Sequence, residues 1–229
     1  MDTSIISVAG ECETYSEAVS GMTNGHTILV GGFGSSGVPL GLINAICAAN
    51  LRDLTLVTNN AGTTEFDIAR LFREERVSRL VCSFPRAPGN EAFAEQYKSG
   101  RVKLELVPQG TLAERIRAGG AGIGGFFTPV SAGTALAEGK EIRMIEGREH
   151  VLEAPIRGDF ALIKAHKADQ LRNLSYHGVA RNFAPLMATA AKTVIAEVGS
   201  IVPAGALTAY EIVTPCIFVD RVVKAGSPL

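Results

Sequence analysis

Apolar residues in the first half of the chain gather into four short blocks: Thr27-Ile28-Leu29-Val30, Leu54-Thr55-Leu56-Val57, Arg79-Leu80-Val81-Cys82 and Leu104-Glu105-Leu106-Val107. Each stops at a Gly, Thr-Asn, Ser or Pro, and the near-continuous apolar character is that of strands buried on both faces. Between the blocks the spacing changes to that of helices. The 39–50 stretch puts Leu40, Ile43, Ile46 and Cys47 on one face, 64–75 does so with Ile68, Leu71 and Phe72, and 91–98 sets Phe93 and Tyr97 one turn apart. Further on, Phe160-Ala161-Leu162-Ile163-Lys164 and Thr193-Val194-Ile195-Ala196-Glu197-Val198 resume the buried-strand pattern, with a helix expected over 183–191 between them. Strands alternating with helices imply right-handed βαβ units, hence an α/β fold: an open, mostly parallel sheet with helices on both faces.

The pattern breaks between 119 and 153. Gly119-Gly120-Ala121-Gly122-Ile123-Gly124-Gly125 precedes Phe126-Phe127-Thr128-Pro129 and a strand-like Glu141-Ile142-Arg143-Met144-Ile145. This reads as a small insertion of loop and β structure. No 20–50-residue repeat and no linker composition interrupts the chain, so residues 1–229 are expected to form a single domain.

Composition narrows the function classes. With 22 basic against 23 acidic residues and no cationic block, the chain has no electrostatic footprint for a polyanion, which argues against a nucleic-acid partner. No run of 18 apolar residues offers a membrane span, and Met1-Asp2-Thr3-Ser4-Ile5 lacks the basic start of a signal peptide. Cys12, Cys47, Cys82 and Cys216 show no C-x-x-C pairing, so reduced thiols and a cytoplasmic location are expected. The four histidines, His26, His150, His166 and His177, have no spacing that suggests a metal site. Glycine is the one excess: 25 residues, roughly 11% of the chain against a typical ~7%.

Much of the chemistry implied by that excess lies in Val30-Gly31-Gly32-Phe33-Gly34-Ser35-Ser36-Gly37-Val38-Pro39. A strand, a glycine loop and a helix opened by Pro39 place unpaired N–H groups and a helix dipole where a phosphate or carboxylate can bind. A tight connection that uses glycine only for positive φ is the alternative, and no Lys-Ser/Thr follows the last glycine as a P-loop requires.

The segment from Asn24 to Pro39, with its Asn-Gly, three apolar residues, Gly-Gly-Phe and Gly-x-Pro, resembles the signature of the class I (3-oxoacid) CoA-transferases, specifically their A (alpha) chain. The same order of matches continues through Thr58-Asn59-Asn60-Ala61-Gly62, Val107-Pro108-Gln109-Gly110-Thr111, Asp159-Phe160-Ala161-Leu162-Ile163-Lys164 and Ala180-Arg181-Asn182-Phe183, so the resemblance covers nearly the whole chain. It implies a CoA-transferase fold of the NagB/RpiA-like kind and a half-enzyme whose active site lies against a B (beta) subunit, in an assembly expected to be A2B2. In such enzymes a glutamate on the B chain attacks the donor thioester, and no Glu here sits in the matching context. Coenzyme A thioester is a substrate, and no permanently bound cofactor or metal is implied.

The resemblance further implies that Gln109 stabilises the reacting carbonyl, that Asn59 belongs to the active site, and that Gly31, Gly32, Phe33, Gly34, Ser35, Ser36 and Gly37 bind CoA. Unaided, Gln109 would read as a strand-end amide capping a helix and Asn59-Asn60 as a turn. Ser83-Phe84-Pro85-Arg86 resembles the 3-oxoadipate enzymes of aromatic catabolism, and Arg86 is expected to hold the distal carboxylate of a dicarboxylic 3-oxo acid, against the alternative of an exposed loop arginine. Acetoacetate is the rival acceptor. A component of an acyl-CoA hydrolase or a non-catalytic ligand-binding module is the reading from another class. Glu114, Arg115 and Arg117 read as a solvated helix face, the Gly119-to-Gly125 run as a loop that approaches the partner or CoA or simply turns, and Asn182 as the N-cap of the helix after it.

Overall fold

The computed structural model describes residues 10–64, 66–86 and 91–229. The N-terminal Met1 to Ile5 stretch and the 87–90 segment after Arg86 lie outside that set. The elements run β1 (Glu11–Cys12), α1 (Tyr15–Ala18), β2 (Thr27–Val30), α2 (Leu40–Ala48), β3 (Leu54–Val57), α3 (Ala69–Arg73), β4 (Val77–Cys82), α4 (Glu91–Lys98), β5 (Lys103–Leu106) and α5 (Gln109–Gly120). There follow β6 (Phe126–Thr128), β7 (Ile142–Ile145), β8 (Arg148–Glu153), β9 (Gly158–Asp169), β10 (Leu174–Ser175), α6 (Ala184–Thr189), β11 (Ala191–Val202) and β12 (Arg221–Lys224).

The main sheet has the order β1-β12-β11-β9-β2-β3-β4-β5, all neighbours parallel, with β10 antiparallel to β9. Period-two alternation divides each strand between two cores. Ile28, Val30, Leu54, Leu56 and Leu80 face a cluster shared with α1 to α4, whereas Leu29, Val57 and Val81 face one shared with α5 and α6. Burying each Leu or Ile contributes about 1.5–3 kcal/mol, so these two-sided strands fix the sheet firmly. The insertion is a three-stranded antiparallel sheet in the order β6-β8-β7.

Several local expectations are revised. The helix expected over 64–75 is shortened to Ala69–Arg73 because buried Asp67 captures the chain before it. Its Oδ2 accepts from the Thr63 and Thr64 N–H groups at 2.8 and 2.9 Å, and its Oδ1 from Ala69 N at 3.0 Å. Gly119 and Gly120 are not loop residues: they close α5, where a Cβ on Gly119 would stand 1.9 Å from Ile156 O and one on Gly120 2.1 Å from Thr189 Oγ1. Glycine there permits close helix packing. The helix spans twelve residues, so this end lies roughly 16 Å along the axis from Gln109 at 1.5 Å per residue.

Arg115 is buried rather than solvated. Its Nη1 donates to Glu105 Oε1 at 2.7 Å and its Nε to Ala154 O at 2.7 Å, tying α5 to β5 and to the insertion, while Arg117 and Glu114 do pair on the exposed face. Burial favours protonation of Glu105, but hydrogen bonds from Arg115 and Arg79 outweigh it and hold the carboxyl below its usual range.

Candidate active site

The carboxyl ends of β2, β3, β4 and β5 lie side by side, the edge of a parallel sheet at which ligands bind. Each strand contributes the residues that follow it. The 31–37 loop leaves β2, Thr58-Asn59-Asn60 leaves β3, Ser83-Phe84 leaves β4, and Val107-Pro108-Gln109 leaves β5 and opens α5. Together with Thr63 they enclose a cleft of about 490 Å³, with Phe33 and Phe84 among its walls and Asn59, Asn60, Thr63, Ser83 and Gln109 as its polar residues.

Asn59 is the centre of the polar set and is only 4% exposed. Its Oδ1 accepts from Gln109 Nε2 at 2.8 Å and from Ser83 Oγ at 2.9 Å. Its carbonyl oxygen accepts from Phe84 N at 3.0 Å, which with the Asn60–Phe84 bridge carries the β3–β4 pairing one step past the strands. Oδ1 is thereby committed to protein donors, leaving the Nδ2 protons as the donors Asn59 can offer a ligand. One Gln109 Nε2 proton is likewise uncommitted in these contacts, and the first-turn N–H groups of α5 lie at the same helix start. The cleft is a donor-rich pocket between apolar walls, since Phe33 is 50% and Phe84 61% exposed. Such an arrangement suits a developing oxyanion or a bound carboxylate.

The 31–37 loop is held by its own reversal and by contacts from distant parts of the chain. Gly31 N donates to Leu162 O at 2.9 Å, and Phe33 and Ser36 exchange both backbone bonds at 3.0 Å, so the tip is a tight reversal. The helix end that the sequence offers to an anion already holds one: Glu197 of β11, 2% exposed, accepts from Gly41 N at 2.7 Å and Leu42 N at 3.2 Å, with Lys164 Nζ at 3.4 Å from its other oxygen. Tyr15 packs against this group, and burial first, then the Glu197 charge, pushes its phenol up to about 12. Phe33 and Gly34 face the cleft. Ser35 and Gly37 line a second hollow of about 270 Å³ on the loop's other side, with Lys164, His166 and His177.

Gln109 and Asn59 are therefore in direct contact and share the cleft with the loop tip. Arg86 is exposed two residues beyond Phe84 and is not one of the cleft-lining residues. Sequence reading quoted Ser83 only as part of the Ser83-Phe84-Pro85-Arg86 stretch and gave its Oγ no role, and it missed Glu197, which looked like any polar residue of a strand. It also misassigned Asn182. The N-cap position of α6 is Phe183, and Asn182 instead reaches across to the glycine loop, its Oδ1 accepting from Gly32 N at 3.1 Å. Among the described residues no helix is long and apolar enough to cross a membrane, and no group of three or more His, Cys, Asp or Glu is placed to hold a metal.

A family model described as Coenzyme A transferase matches residues 12–225. The chain is 54% identical over 214 residues to the A chain of 3-oxoadipate CoA-transferase from Pseudomonas putida, with 93% of each chain covered. It is 45% identical over 208 residues to the A chain of succinyl-CoA:3-ketoacid coenzyme A transferase from Helicobacter pylori strain J99, covering 91% of this chain and 89% of that one. Among solved structures, an acyl-CoA transferase of Escherichia coli O157:H7 shares the fold at a TM-score of 0.86 and 20% identity. The match covers 96% of this chain and 47% of that one, so the chain spans about half the length of that relative.

Proposed function

The chain belongs to the coenzyme A transferase family, and on that premise we propose that it is the A (alpha) half of a two-chain enzyme moving CoA from succinyl-CoA to 3-oxoadipate in the β-ketoadipate route of aromatic catabolism. The observation that carries this reading is the Asn59–Gln109 donor pair at the carboxyl edge of the sheet, walled by Phe33 and Phe84. Among the described residues lining the cleft none is a carboxylate. That supports a nucleophile arriving from outside the chain, as do the relatives, whose names mark them as one chain of a multi-chain enzyme.

In the proposed cycle a glutamate on the partner B chain attacks the succinyl-CoA carbonyl. The C–S bond breaks, CoA thiolate leaves, and a mixed anhydride forms. The thiolate then attacks the glutamyl carbonyl, expelling succinate and leaving glutamyl-CoA; 3-oxoadipate carboxylate reverses the two steps, with no net proton transfer. Each attack puts negative charge on a carbonyl oxygen, and Gln109 Nε2 and Asn59 Nδ2 are the donors assigned to it. Gly31 to Gly37 are assigned to CoA: the tip at Phe33 and Gly34 shapes the cleft floor beside the thioester. The hollow behind Ser35 and Gly37, with Lys164, His166 and His177, offers an ammonium and imidazole groups that can hydrogen-bond the phosphate-bearing arm. Arg86 is assigned to the distal carboxylate of the acceptor, reaching it once the partner closes the cleft. The assembly is assigned as A2B2, and free, mostly buried cysteines accord with a cytoplasmic location.

The test is co-expression with a partner B chain, expected to be a similar-sized α/β chain from the neighbouring reading frame. The purified pair should transfer CoA from succinyl-CoA to 3-oxoadipate with a higher kcat/KM than to acetoacetate, and this chain alone should not. The opposite acceptor preference would assign the acetoacetate reaction instead.

A further inference from the structure

Asn182 adopts φ 28° and ψ −120°, a backbone conformation that an L side chain takes only against strain and that glycine would adopt freely. Strain of this kind persists where the side chain is needed, and here every polar atom of the side chain is engaged. Oδ1 accepts from Gly32 N at 3.1 Å and from Phe183 N at 2.7 Å, while Nδ2 donates to Ser36 O at 3.1 Å and to Ala180 O at 3.0 Å. Gly32 and Ser36 stand on either side of the Phe33–Ser36 reversal, so one carboxamide reaches both limbs of the loop from 150 and 146 residues away. Gly37 completes the fit. At φ 72° a Cβ there would come within 2.4 Å of Ala180 O and 2.6 Å of Asn182 Nδ2, so the 178–182 segment rests directly on the loop's far limb. Glu197 fixes the helix that follows, and among the described residues Asn182 is the side chain that hydrogen-bonds both limbs of the loop.

We propose that Asn182 is a positioning residue for CoA transfer, a latch that holds the 31–37 loop so that Phe33 and Gly34 face Asn59 and Gln109 across the cleft. The proposal rests on the reading of that cleft as the transfer site. It makes the loop a preformed shelf, set before substrate arrives, rather than a flap that orders on binding.

The experiment compares Asn182→Gly with Asn182→Ala in the two-chain complex. Glycine accepts the backbone conformation without strain and removes only the latch; alanine removes the latch and keeps the strain. Both variants should exchange amide hydrogens across 31–38 about tenfold faster than wild type, the loss of one or two hydrogen bonds. Both should raise KM for succinyl-CoA about tenfold with kcat changed less than about twofold, while only the alanine variant melts at lower temperature. A merely structural residue would lower the melting temperature in both variants and leave the KM of the folded enzyme alone, which overturns the proposal. Wild-type exchange over 31–38 in Asn182→Gly overturns the latch; faster exchange with an unchanged KM overturns its part in the reaction. If the wild-type complex transferred no CoA, the functional reading would fall while the exchange comparison still judged the latch.

Discussion

Asn59 and Gln109 lie 50 residues apart and are joined by a 2.8 Å hydrogen bond, Gln109 Nε2 donating to Asn59 Oδ1. Ser83 Oγ donates to the same oxygen at 2.9 Å, so two neighbours hold one carboxamide in a single orientation. Preorganised donors of this kind cost no reorganisation when charge develops, which is the source of their catalytic value. Replacing Gln109 by Ala should lower kcat of the two-chain enzyme by about 10²-fold, the typical loss for one oxyanion donor. Gln109→Glu should lower it further, because a carboxylate repels the developing charge and cannot donate to Asn59. Steady-state kinetics with both substrates saturating checks this, and loss confined to KM would remove Gln109 from the transition state.

Arg86 is exposed two residues beyond Phe84 and outside the cleft lining, and its proposed role at the far carboxylate of a dicarboxylic acceptor is tested by substitution. Arg86→Ala should reduce kcat/KM for 3-oxoadipate about 10- to 100-fold, the span expected for charge-assisted hydrogen bonds worth about 1.5–3 kcal/mol. The value for acetoacetate, which has no second carboxylate, should hardly move. An equal loss with both acceptors would dismiss the assignment.

Glu197 is a stability residue at the N-terminal end of α2. Glu197→Ala strips two α2 N–H groups of their acceptor and leaves half-exposed Lys164 without its carboxylate, and chemical denaturation should show a loss of about 2 kcal/mol, the cost of leaving buried donors unpaired. Glu197→Gln keeps one acceptor oxygen and should cost less. An alanine variant as stable as wild type would mean that water replaces the carboxylate at the helix end.

Glu105 gives the stability curve an acid limb. Burial opposes its ionisation, but the Arg115 and Arg79 hydrogen bonds prevail and keep its folded-state pKa below the unfolded value. Its contribution is therefore complete above the unfolded carboxylate pKa and disappears as pH falls through the lower folded value. Glu105→Gln should flatten the dependence of melting temperature on pH across the acidic range while lowering stability at neutral pH. A variant that keeps the wild-type acid slope would place that slope in other carboxylates.

The parallel sheet was readable in the sequence because both faces of each strand are buried and the apolar runs announce it. The strands at 27–30 and 54–57 begin and end in the structure where the pattern sets them. Helix ends were less legible wherever a side chain from elsewhere decided them. Asp67 shortens one helix from inside its own expected span, and close packing against Ile156 and Thr189 turns Gly119 and Gly120 from an apparent loop into the last turn of another. The same cause hid the rest of the site. Glu197, Asn182 and Ser83 act on residues 24 to 156 positions away, and no local spacing records such a pairing. Of the glycine excess, the 31–37 part borders the cleft, and the 119–120 part serves packing at the other end of α5.

The most direct measurement of the half-enzyme chemistry is the mass of each chain after the two-chain enzyme is mixed with succinyl-CoA in the absence of acceptor. The partner chain should gain the mass of a CoA thioester on one glutamate, lose it on adding hydroxylamine or 3-oxoadipate, and this chain should remain unmodified. A CoA adduct on this chain, or full CoA transfer by this chain alone, would contradict the half-enzyme reading.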